Sequence, residues 1–134
     1  MKRISALIVL LLFLPCAALG ETVVTSFYPI WLLALNLTDG IAGVAVRNLA
    51  APDTGCLHDY QLLTNDLIKL EHADMLYICG AGMENFLDRV INQYPALPVV
   101  DCSEGIELLY DADGDVNAHT WLDVENSMII VKTM

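Results

Sequence analysis

The feature that most constrains this chain is a set of four short, nearly continuous apolar runs, Val23–Ser26, Val44–Asn48, Met75–Cys79 and Pro98–Asp101, separated by stretches of helical character. Such runs lack the in–out alternation of a half-solvated strand and belong to strands buried on both faces, as in a parallel sheet. Parallel neighbours need crossovers, and the intervening segments supply them. Pro29–Leu37 opens with a proline suited to a first helical turn and stops before Thr38-Asp39-Gly40. A second helix is predicted over Asn65–His72 with Thr64 as its N-cap, and a third over Met83–Gln93 ahead of Pro95. The alternation predicts an α/β fold: a short parallel four-stranded sheet flanked by helices, with right-handed crossovers. The acidic, turn-rich segment Asp111–Asn117 is expected to be an exposed loop.

The N-terminus has the three-part build of a secretory signal. Lys2 and Arg3 precede the apolar run Ile4–Leu14, followed by Pro15, Cys16 and the small-residue stretch Ala17-Ala18-Leu19-Gly20. Extended to Leu19 the run has 16 residues, short of the roughly 20 of a spanning helix. Residues 1–20 are therefore expected to be removed after Gly20, placing the mature protein in the periplasm or at the cell surface, peripheral to the membrane. Lipid attachment at Cys16 is the competing expectation, weakened by Pro15 where such sites carry a small residue.

Residues 21–134 suffice for one domain. They hold four of the six basic side chains and all 17 acidic ones, a net charge of −13. A nucleic-acid partner is excluded, since phosphate binding needs a cationic face. The same charge favours cations, although most of these carboxylates serve solubility. Cys56, Cys79 and Cys102 form no C-x-x-C pair, so spacing allows at most one bridge and no thiolate zinc knuckle.

Parallel strands place their carboxyl ends on one edge, and ligands bind in the loops there. Those loops are Phe27-Tyr28-Pro29, Leu49–Leu63 with His58, Gly80-Ala81-Gly82, and Cys102–Leu122 with His119. One loop histidine is weak evidence for metal. Two converging on one edge, from positions 61 residues apart, are better, because neutral imidazole is the commonest nitrogen ligand for zinc. Asp59 and Asp123 are candidates to orient the rings, with Asp123 equally suited to cap the last helix. His72 falls at a helix end away from the edge and is expected to cap it or lie on the surface.

Four ordered stretches carry a specific resemblance: Gly55-Cys56-Leu57-His58-Asp59-Tyr60-Gln61-Leu62, Ala73-Asp74-Met75-Leu76, Gly80-Ala81-Gly82-Met83-Glu84-Asn85-Phe86-Leu87, and Asn117-Ala118-His119-Thr120-Trp121-Leu122-Asp123. Together they resemble the N-terminal half of the zinc/manganese ABC-transporter substrate-binding proteins, over residues 22–134. The resemblance implies a receptor of two α/β lobes joined by one long helix, with Zn2+ or Mn2+ in the cleft between them. It implies that His58 and His119 are the first two metal ligands, and that the loaded receptor delivers its ion to an ABC permease with its ATPase. On that reading residues 21–123 are the metal-binding lobe, and 124–134 open the interlobe helix of a sequence cut short.

Departures accompany the matches. Leu57 and Val124 stand where many relatives have proline, and the histidine-rich loop of many zinc-specific members is replaced by Asp111-Ala112-Asp113-Gly114-Asp115. That acidic run is not an EF-hand, which would need glycine at 116 and glutamate at 122. No nucleophile elbow surrounds Ser103 or Ser127, so no enzyme is expected. Gly80-Ala81-Gly82 sits where a dinucleotide loop would, but Asn85 occupies the third glycine position. A nucleotide- or flavin-binding doubly wound module is the alternative from another class, and an adhesive or scaffolding lobe without a working metal site is a third.

Overall fold

The computed structural model describes residues 20–55, 57 and 60–134. The expected signal up to Leu19, with Cys16, and the positions of Cys56, His58 and Asp59 lie outside the described residues. Four strands, β1 (Glu21–Thr25), β2 (Val44–Asn48), β3 (Met75–Ile78) and β4 (Val99–Asp101), form one sheet in the order β2-β1-β3-β4. Every pairing is parallel: Val24 aligns with Arg47 on one side and with Leu76 on the other, and Leu76 aligns with Val99. The strands match the four apolar runs to within two residues at each end.

Apolar side chains cover the sheet on both faces, which is why its central strands read as apolar without alternation. Val24 and Leu76, aligned on one face, pack with Leu49, Leu70 and Leu87, all 2% exposed or less. On the other face Ile30 and Ile130 pack with Cys79, Met83 and Cys102. Each fully buried aliphatic side chain contributes roughly 1.5–3 kcal/mol. The helices α1 (Tyr28–Leu37) and α4 (Val124–Thr133) supply Ile30 and Ile130, and α2 (Thr64–Glu71) supplies Leu70. Among the described residues no helix is long and apolar enough to cross a membrane.

Two helical expectations change. Thr64 is the first residue of α2 and not its cap; Leu63 takes the extended cap conformation, and its N–H donates to Asp66 in the first turn at 3.0 Å. The long helix expected over Met83–Gln93 shrinks to a 3-10 turn, Asn85–Leu87, and one turn of helix, α3 (Asp88–Ile91). The cause lies just upstream. Gly80, Ala81 and Gly82 all adopt positive φ (78°, 52° and 81°), and the Glu84 side chain folds back onto the end of β3, so the chain turns before it can wind.

Candidate metal centre

The loop after β4 is built to present one imidazole. Tyr110 and Val116 bridge across the acidic turn, with Asp111 Oδ1 accepting the Asp113 and Asp115 amides at 2.9 Å each. This returns the chain to the sheet edge, where buried Ala118 anchors it and His119 leads into the 3-10 turn Thr120–Leu122. Asn117 Oδ1 accepts the His119 backbone N–H at 3.1 Å and lies 3.0 Å from His119 Nδ1. Because the backbone donor identifies that atom as an acceptor, the ring hydrogen of neutral His119 in this contact sits on Nδ1 and the lone pair on Nε2. The Trp121 ring packs 5.2 Å from the imidazole, and Phe27, from the loop after β1, meets Trp121 edge-on at 5.4 Å.

His119 lines two open hollows, of about 620 Å³ and about 250 Å³. Asp111, Asp115 and Asn117 border the first; Glu107, Thr120 and Asp123 border the second. Thr120 is 6% exposed, and its hydroxyl has no hydrogen-bond partner among the described residues. Of the two roles expected for Asp123, orienting His119 or capping the last helix, it takes the cap of α4, accepting the Asn126 amide at 3.0 Å, and Asn117 lies at Nδ1. A carboxamide two residues before a histidine carries no sequence signal of its own, and only the tight turn reveals its role.

His58 lies outside the described residues, but the chain on either side of it is firmly tied. Leu57 is fully buried, and Tyr60 N–H donates to the Leu57 carbonyl at 3.0 Å. The Tyr60 hydroxyl donates to Asp66 Oδ2 at 2.7 Å while its ring meets Phe86 edge-on at 5.3 Å. Burial first, and the Asp66 carboxylate second, push the Tyr60 phenol up to about 12. For Asp66 burial pushes upward, but the bonds from Tyr60, Leu63 and Lys69 outweigh it and hold the carboxyl below the usual range. The expected peripheral place of His72 agrees with the fold: it is exposed and ends α2.

The Gly80-Ala81-Gly82 turn has the position of a phosphate loop but not its vacancy. The Cys79 and Gly80 amides, which would face an anion, donate to Glu84 at 2.7 and 3.0 Å, and the Ser26 hydroxyl donates to the same carboxylate at 2.5 Å. Burial raises the Glu84 carboxyl, opposed by these bonds. A β-carbon on Gly80 would fall 1.7 Å from Asp101 Oδ1, so packing explains the glycine. Among the described residues no three histidine, cysteine or carboxylate side chains come close enough to hold a metal ion.

Comparison with known proteins agrees with this architecture. The 134-residue chain is 34% identical to the high-affinity zinc uptake system protein ZnuA of Haemophilus ducreyi over 107 residues, covering 74% of this chain and 34% of that protein. It is 33% identical to the manganese-binding lipoprotein MntA of Halalkalibacterium halodurans over 79 residues, 58% of this chain and 26% of that one. It thus spans well under two thirds of these relatives. Among solved structures, a manganese-bound periplasmic metal binding protein of Candidatus Liberibacter asiaticus superposes with a TM-score of 0.75 at 24% identity, over 84% of this chain and 42% of that one, which shows the shared fold. The SBP FpvC of Pseudomonas aeruginosa, in complex with Mn2+, superposes with a TM-score of 0.72 at 25% identity, over 84% and 41% of the two chains. The model of the zinc-uptake complex component A, periplasmic, matches residues 23–134, and the chain belongs to that family.

Proposed function

We propose that this chain is the N-terminal lobe of an extracytoplasmic metal receptor, with His58 and His119 as the two ligands it contributes. The observation that carries the reading is the His119 turn: Asn117 fixes the tautomer that keeps the lone pair on Nε2, at the carboxyl edge of a parallel sheet. Residues 21–123 form the lobe, and α4 begins the helix leading to a second lobe, which would complete the site. Structural zinc sites use four ligands and open ones three plus water, so two imidazoles are a half-site.

The function is capture without chemistry: the ion exchanges water for imidazole and for second-lobe ligands, and passes to an ABC permease with its ATPase. Zinc is the ion we favour, on the family and the zinc-uptake relative, with manganese the second choice on the manganese-binding relative. Affinity should fall with acid, because the ligands must be deprotonated to bind.

Zinc titrated into the 134-residue chain against a chromogenic chelator tests this. Weak binding is expected, lost in His58→Ala and in His119→Ala, and weakened about tenfold in Asn117→Ala. Unchanged binding in both histidine variants would remove these residues from the site.

A further inference from the structure

Strand register brings together two thiols for which metal capture has no use. β3 and β4 align Tyr77 with Val100 and Ile78 with Asp101, so the next residues, Cys79 and Cys102, stand opposite one another one step past the ladder. The Cys102 amide donates to the Ile78 carbonyl at 3.0 Å, which keeps the two segments adjacent at that level. Both side chains are free thiols, both are 0% exposed, and both belong to the same apolar cluster. Neighbouring strands lie about 4.8 Å apart, inside the roughly 4.4–6.8 Å between α-carbons that a disulfide spans. Each cysteine is also the first residue beyond its strand, where the backbone has more freedom to adjust. Spacing in the sequence allowed one bridge without saying which; the fold selects the pair.

We propose that Cys79 and Cys102 form a disulfide that staples β3 to β4 beneath the loops bearing Gly80-Ala81-Gly82 and His119. Two S–H bonds are lost and one S–S bond forms. Two electrons and two protons pass to a disulfide oxidant, which leaves as two thiols. Burial pushes the Cys79 thiol well up and that of Cys102 to about 12. The thiolate is the attacking species, so exchange is slow once the sheet has closed and fast while its edge is still open. The bridge therefore forms during folding in an oxidising compartment. Once formed it is shielded from reductant. As simple core residues, the two cysteines would instead stay reduced throughout.

The test is refolding of the full chain in a mixture of oxidised and reduced glutathione, followed by alkylation, digestion and mass mapping. The expected product joins the peptide carrying Cys79 to that carrying Cys102, about 2 Da lighter than the two thiol peptides together. The same link should appear in Cys56→Ser, which removes a competing thiol. Recovery of Cys79 and Cys102 fully alkylated, or linked to Cys56 or Cys16 and not to each other, would overturn the proposal. Because the readout is a covalent link, its failure leaves the metal reading untouched, and the zinc titration is likewise independent of it.

Discussion

Glu84 is the residue whose environment departs furthest from its chemistry, a carboxylate 4% exposed with no cation beside it among the described residues. Three donors hold it: Oε1 takes the Ser26 hydroxyl and the Cys79 amide, and Oε2 takes the Gly80 amide. Removing the charge while keeping the shape separates two effects. Glu84→Gln relieves desolvation, yet it sets an amide NH2 against a backbone N–H that must then go unpaired, at about 1–3 kcal/mol. The second effect should win, and urea unfolding at pH 7 should show the variant less stable; equal or greater stability would mean that burial of the charge dominates. The pH dependence follows from the sign of the shift. A carboxyl raised on folding contributes most below its unfolded value of about 4.3, and that contribution is lost as pH rises through the folded value. In the glutamine variant this slope should disappear.

At the level of elements, α2 shows how one side chain ties a helix to a neighbouring loop. Asp66 accepts from Leu63 N–H at the helix start, from Tyr60 in the segment ahead of α2, and from Lys69 one turn on, all at 2.7–3.0 Å. Asp66→Asn weakens this set and should cost about 1–3 kcal/mol near neutrality. Here the folded value is lowered, so the stabilisation is present above the unfolded value of about 3.9 and is lost as pH falls through the folded one. Unfolding midpoints of variant and parent should differ at pH 7 and converge as the pH falls through the folded value; a gap that persists in acid would point to packing instead. The helix expected over Met83–Gln93 teaches the converse. Its residues are acceptable helix formers, but Glu84 is claimed by the sheet edge, and local propensity yields to that tertiary bond.

Across the whole molecule, large apolar side chains remain exposed around His119: Leu109 at 69%, Tyr110 at 65%, Leu122 at 74% and Val124 at 76%. Leu109 and Leu122 share a hollow with the imidazole, so the edge that carries His119 is poorly covered. The chain should associate with itself as concentration rises, and a Leu109→Gln, Leu122→Gln variant should scatter less light while keeping its circular dichroism. Equal scattering would place the sticky surface elsewhere. Much of this molecule was legible from residues alone. Apolar runs cannot form half-wet strands, so the four parallel strands follow from patterning, and with them the edge on which His119 lies. The family resemblance was equally legible, from four motifs in order. The tertiary structure alone decided that Asn117 orients His119, that Glu84 fills the seat a phosphate would take, and that Cys79 and Cys102 follow paired residues of neighbouring strands. These are pairings between atoms that only register and turn geometry bring within reach, and no local pattern in the chain encodes such distances.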